Sequence, residues 1–171
     1  TTVSELMAAW LAVKATEVTS NSLRDYEIVV RRHIVPALGS VKIRSVSAAF
    51  IQNQYANWVR DGMSPRMVRG CAMRLSAAFD FAVRTRLLQH NPIKDARPPR
   101  LERRAVDHWS AADLAKFLQV ADDDAWAPLW TLLAREGLRR GEALGLTWAN
   151  INWDRSTIHI RQTVILDKAD R

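Results

Sequence analysis

The chain has 171 residues, 48% of them hydrophobic and 25% charged, which is enough apolar material for one domain or two small ones. It has no run of about 18 apolar residues and no basic segment leading into an apolar one, so neither a membrane span nor a secretory signal is expected. Cys71 is the single cysteine; an internal disulfide is excluded and a reducing, cytoplasmic compartment is the natural expectation. The histidines His33, His90, His108 and His159 are scattered without the spacing of metal ligands.

The net charge of +7 is unevenly spread. Residues 1–106 hold 17 Lys and Arg against 8 Asp and Glu, a balance of +9, and residues 107–171 hold 8 against 10, a balance of −2. A basic front part favours a polyanion through attraction and counterion release. On charge alone a merely solvated basic surface is an equal reading.

In chain order, apolar spacing predicts a first helix over 3–15, with Leu6, Met7, Trp10, Leu11 and Val13 as its apolar residues and Ser4 as a candidate cap. A second helix is predicted over 22–34, its inward face made of Leu23, Tyr26, Val30 and Ile34. Pro36 and Gly39 are expected to stop it. After a connector at 41–46, a third helix spans 47–60, with Phe50, Ile51, Tyr55, Trp58 and Val59 gathered on one side. Ser64 caps the fourth and longest helix and Pro65 takes its first position. That helix is predicted to run to about Leu88, with Val68, Cys71, Leu75, Ala78, Phe79 and Ala82 as one stripe. Asn91 and Pro92 end it.

The composition then changes. Residues 93–106 carry Pro98, Pro99, Lys94, Arg97, Arg100, Arg103 and Arg104 and read as a basic linker between domains. Beyond it Ser110 caps a helix with Leu114, Phe117 and Leu118, a very apolar helix spans 126–135, and Gly137 breaks that helix. A short helix at 139–146 and a strand over 156–166 follow, the strand alternating Ile158, Ile160 and Val164 with polar residues. Core packing is the expected role of Cys71 and of most of the seven tryptophans.

The most specific stretch is Glu136-Gly137-Leu138-Arg139-Arg140-Gly141-Glu142-Ala143-Leu144-Gly145-Leu146-Thr147-Trp148. It resembles the first-arginine motif of tyrosine recombinases, the phage-integrase family, in Gly137, Leu138, Arg139, Gly141, Glu142, Leu146 and Trp148, and departs from it at Glu136, where Thr is usual. Ser22-Leu23-Arg24-Asp25-Tyr26, Ile34-Val35-Pro36-Ala37-Leu38-Gly39, Asp61-Gly62-Met63-Ser64-Pro65 and Asn91-Pro92 match further family patterns in the right order.

The resemblance implies a mainly α chain: a SAM-like four-helix core-binding domain (1–92), a linker (93–106) and the opening part of an α+β catalytic domain (107–171). It implies DNA integration and recombination by an enzyme of a phage or other mobile element in a prokaryotic cell. No metal or nucleotide cofactor is implied. The partner is double-stranded DNA, with the full-length protein assembling as a tetramer on two DNA sites. Arg139 takes the role of catalytic arginine, a fixed positive charge offering two parallel hydrogen bonds to a phosphate. Glu142, one helical turn on, is its support. Taken outside the motif, Arg139 reads rather as a surface residue at a helix start.

By the same resemblance the second and fourth helices approach the major groove. Arg24, Arg31, Arg66, Arg69 and Arg84 are the DNA-binding candidates, mostly for phosphates; a solvated basic face is the alternative for each. The family's remaining catalytic groups, a hairpin Lys, a His-x-x-Arg, a further His or Trp and the nucleophilic Tyr, are expected beyond Ile158. Lys168 falls more naturally in a hairpin turn than at the catalytic position. Tyr26 and Tyr55 read as core residues, so the chain is expected to be an inactive fragment of such an enzyme. The alternatives are a non-enzymatic helical DNA-binding regulator, which needs no catalytic guanidinium, and a helical protein-interaction module, which the charge division disfavours.

Overall fold

In the computed structural model, which describes residues 1–102 and 107–165, the first helix α1 (Val3–Lys14) starts on Thr2 rather than on the expected Ser4. Thr2 accepts from the Glu5 amide at 3.3 Å while the Glu5 carboxylate accepts from the Thr2 amide at 3.0 Å. Ser4 is left inside the first turn because the connector supplies what a later cap would have: the Val3 and Ser4 amides donate to the carbonyls of Val41 and Gly39. The orphan donors of a helix start are thereby satisfied without solvent.

Helix α2 (Ser20–Val29) is capped by Thr19 and passes directly into a π-helical turn at Val30–Ile34 and a last short helix α3 (Val35–Leu38). Pro36 therefore does not stop the helix. It sits in the first turn of α3, and the wider π turn before it accommodates a residue that lacks an N–H and crowds the preceding turn. The path ends only at Gly39, whose amide donates to Val35 O at 2.8 Å.

Helices α4 (Ala48–Arg60) and α5 (Pro65–Arg84) are capped by Ser47 and Ser64. Ile51, Tyr55 and Trp58 of α4 are buried as expected, but Phe50 and Val59 fall at the edge of that face and are exposed. The stripe Val68, Cys71, Leu75, Ala78, Phe79 and Ala82 of α5 is wholly buried and meets Leu6, Met7 and Trp10 of α1 and Ile34 of the π turn in one core. Full burial of a side chain such as Phe79 contributes about 2–3 kcal/mol. Burial pushes the Cys71 thiol up to about 11, so it remains protonated and unreactive at neutral pH. Tyr55, buried beside it, is pushed up to about 12 by the same cause.

Helix α5 ends at Arg84, one turn short of the expected Leu88. Arg86 takes a left-handed conformation (φ 61°). Its amide donates to Val83 O, and that of Leu87 to Ala82 O at 2.9 Å, the two bonds of a Schellman cap. Glycine is the usual residue there because the left-handed region costs a side-chain-bearing residue about 1 kcal/mol. Arg86→Gly is therefore expected to raise stability by about 0.5–1 kcal/mol in urea unfolding. A lower midpoint would show that the arginine side chain earns its place by contacts that offset the strain.

Residues 93–102 differ from a free linker. Pro92–Asp95 forms a 3-10 turn, and Ile93 and Ala96 are buried with the core of the first compact unit, Thr1–Arg103. The linker positions Arg103 and Arg104 lie outside the described residues.

In the second unit, Arg104–Arg171, helix α6 (Ala111–Ala121) is capped by Ser110 and Asp113, and is followed by α7 (Ala127–Glu136) and the five-residue α8 (Arg140–Leu144). The long strand expected over 156–166 is a two-residue rung: β1 (Ile151–Asn152) pairs antiparallel with β2 (Thr157–Ile158). Past it the backbone stops pairing with a strand and bonds elsewhere, His159 N to Asn150 O and Val164 N to Gly141 O, both 2.9 Å. Leu166 and Lys168 lie outside the described residues. The tryptophans divide: Trp10 and Trp58 are core residues and Trp130 is half-buried, whereas Trp109, Trp126, Trp148 and Trp153 are at least 60% exposed. Apolar helical spacing finds a packing face but says nothing of whether a second layer covers it. No helix among the described residues is long and apolar enough to cross a membrane.

Candidate functional site

Arg139 is fixed by local backbone chemistry. Helix α7 closes on Gly137, whose left-handed φ of 64° turns the chain sharply. Arg139 is then the extended residue ahead of α8. Glu142 grips it twice: one carboxylate oxygen accepts from the Arg139 backbone amide at 2.9 Å and the other from its guanidinium Nη1 at 3.0 Å. The Arg139 amide first and its guanidinium second hold the Glu142 carboxyl below its ordinary pKa. A carboxylate near a helix start is further favoured by the orphan amides there, and it offsets the misfit of a cation at that end. The Arg139 side chain is 87% exposed and that of Glu142 only 18%. The carboxylate is a seated anchor, and the remaining guanidinium donors face outward.

Two glycines let the chain cross α8 closely. A Cβ on Gly141 would lie 2.7 Å from the Val164 carbonyl, and one on Gly145 would lie 2.8 Å from that of Gln162. Gln162 Nε2 donates to Gly145 O at 2.7 Å. This return segment seats α8, and with it Arg139, by backbone contacts that any side chain would push apart. Trp148, in the same motif, stacks on Trp153 at 6.3 Å with both rings exposed.

The basic candidates of the first unit fall into separate places. Arg24 and Arg31 line a groove between α1 and the α2 path. Arg66 and Arg84 stand exposed at the two ends of α5, roughly 27 Å apart along its axis and, at about 100° per residue, on one line. Arg69 is also exposed but is partly engaged, donating to Pro99 O at 3.4 Å.

Sequence reasoning missed the fastening of residues 91–99. Buried Asn91 donates to Ser76 O at 2.9 Å and Asp80 Oδ1 at 3.0 Å and accepts from the Ile93 amide at 3.0 Å. Lys94 pairs with Asp80 at 2.7 Å, and Gln52 both donates to Arg97 O (3.1 Å) and accepts from Arg97 N (2.8 Å). Only the Asn-Pro step hinted at any of this. Arg74, no candidate, lies 5.0 Å over the Tyr26 ring, and that ring stacks on Trp10.

Residues 2–59 match the family model described as "Phage integrase, N-terminal SAM-like domain". An integrase of Saccharopolyspora erythraea is 22% identical over 95% of this chain and 38% of its own length. A XerC-like tyrosine recombinase of Caldanaerobacter subterraneus is 24% identical over 99% of the chain and 47% of its own. Among solved structures, the Tn1549 transposon integrase in complex with circular intermediate DNA superposes with a TM-score of 0.80 at 22% identity, over 98% of this chain and 56% of that one. Over nearly its whole length the chain is similar to integrases and tyrosine recombinases. It spans less than half the length of the curated relatives it matches.

Proposed function

We propose that this chain is the DNA-gripping front part of a site-specific tyrosine recombinase, with the first arginine of the active site already in place. The observation that carries the reading is the Arg139–Glu142 pair: a guanidinium anchored by one nitrogen, its other donors presented outward. A regulator that only bound DNA would have no use for so specific a mounting.

In the reaction, a tyrosine hydroxyl supplied by the longer protein attacks the scissile phosphodiester. The P–O bond to the 5′-oxygen breaks, a 3′-phosphotyrosyl linkage forms, and the 5′-hydroxyl leaves with a proton; rejoining reverses the steps. Negative charge builds on the nonbridging oxygens in the transition state. Arg139 stabilises it there with the planar donors of its guanidinium. Tyr55, buried and with its hydroxyl held protonated, is not that nucleophile, and Tyr26 is engaged by Trp10 and Arg74. The first unit, with its basic excess, holds the duplex through Arg24, Arg31, Arg66, Arg69 and Arg84. The working assembly is a tetramer on two DNA sites in a prokaryotic cytoplasm.

The 171-residue chain is expected to bind a 30-bp duplex with steep salt dependence. With about six phosphates neutralised, log affinity falls against log salt with a slope near −5. Fluorescence anisotropy from about 50 to 200 mM salt measures it; a flat response would remove the electrostatic basis of the reading.

A further inference from the structure

Helix α5 presents an outer face from which Arg66, Met73 and Arg84 project exposed, while Gly70 and Ala77 between them are partly buried. Its inner stripe is buried. One flank carries Arg74, which lies over Tyr26; the other is covered by the 91–99 segment through Asn91 and Lys94. Between them run Arg66, Gly70, Met73, Ala77 and Arg84, which fall within an arc of about 60° at 100° per residue. Met73 is 70% exposed, the most exposed of the large hydrophobic residues described in the first unit. Its neighbours on the line are small. A Cβ on Gly70 would meet nothing nearer than Arg74 Nη1 at 3.6 Å, so the packing of the chain does not call for glycine there. Glycine inside a helix is nonetheless unfavourable relative to alanine. Asp80, the acidic residue of this side, is neutralised by Lys94 at 2.7 Å.

We infer that Met73 is a base-reading residue of α5, packing on a thymine C5-methyl in the major groove while the arginines at the helix ends take phosphates. The inference rests on the DNA-gripping reading above and deepens it. A single flexible apolar side chain, raised between two small residues and flanked by cations, suits a groove whose floor offers one apolar group and whose walls are anionic. The thymine methyl is that group, and the major groove admits a helix. A thioether makes no hydrogen bond of consequence to a base edge, so the contact selects thymine by its methyl.

The test uses the whole chain and two 20-bp duplexes, alternating dA–dT and alternating dA–dU, which differ only in the C5-methyl groups. The unmodified protein is expected to prefer the thymine duplex by about fourfold, the worth of one buried methyl. Met73→Ala should lose that preference with an unchanged salt slope, and Met73→Leu should keep it. The exposed position makes loss of fold unexpected in either variant, and circular dichroism checks it. Any stiffness difference between the duplexes acts on all three proteins alike, so the comparison isolates the side chain. No preference in the unmodified protein, or an equal one in Met73→Ala, overturns the inference while leaving DNA binding intact. Failure to bind either duplex at low salt overturns the DNA-gripping reading itself.

Discussion

Arg139→Ala, made in the longer recombinase that we propose contains this chain, is expected to lower covalent adduct formation on a nicked suicide substrate by about 10²-fold or more. That is the loss typical of removing one preorganised donor aimed at developing charge. The exposure of the side chain implies little structural cost: only the Nη1 contact to Glu142 disappears, and the Glu142 bond to the residue-139 amide survives in alanine. Arg139→Lys should rescue poorly, because an ammonium can meet Glu142 or a phosphate oxygen but lacks the planar fork that reaches both. Glu142→Gln separates positioning from charge. It keeps an acceptor for the backbone amide and weakens the hold on the guanidinium, so a smaller loss is expected, with DNA affinity nearly unchanged. Denaturing gels that resolve the protein–DNA adduct, run beside a binding titration, read all three. Full activity in Arg139→Ala would remove the motif assignment. An adduct formed by the 171-residue chain alone would contradict the assignment of Tyr26 and Tyr55 to the core.

What the sequence made legible follows the range of the interactions. Caps are local chemistry, and Ser47, Ser64 and Ser110 begin helices where the pattern puts them. The α5 stripe was readable because its period is that of the helix and one face is wholly buried. Pro36 misled because a π turn, set by packing of Val30 and Ile34 into the core, made room for it. The strand over 156–166 misled for the opposite reason. Alternation marks a chain able to pair, while the bonding of Val164 and Gln162 is to α8. The Arg139–Glu142 pair was foreseeable from a spacing of three; Gln52 on Arg97, 45 residues apart, leaves no local trace. The exposed Trp148 and Trp153 show the same limit, since apolar character does not disclose what covers it.

Charge reversal at both ends of α5, Arg66→Glu with Arg84→Glu, is expected to weaken duplex binding by about 10²-fold at 100 mM salt and to make the salt slope shallower by about two. These two arginines are better probes than Arg66 with Arg69. Arg69 also donates to Pro99 O, so its loss disturbs the 91–99 segment as well as the surface charge. Arg66 and Arg84 are exposed and have no hydrogen bond or ion pair among those described. Lys14 chiefly holds the Glu17 carboxyl below its ordinary value; at Asp80, burial pushes the carboxyl up and Lys94 and Asn91 more than offset it; Arg84 adds the smallest lowering to each through space. A glutamate at 84 would raise both. Some acid-side stability, present above the carboxylates' unfolded pKa values, would then be lost at a higher pH as the medium is acidified. At neutral pH the cost should stay within about 0.5 kcal/mol, as for surface substitutions generally. The geometry explains why two residues suffice. A helix of about 30 Å in a groove about 12 Å wide sends its ends past both phosphate rows, and a carboxylate at each end repels the row it meets. Because phosphates carry no sequence, the loss should be equal on all duplexes, unlike the thymine-dependent effect of Met73→Ala. A folded double variant with unchanged affinity and slope would move the DNA face off α5, leaving the α1–α2 groove of Arg24 and Arg31 as the surface to test.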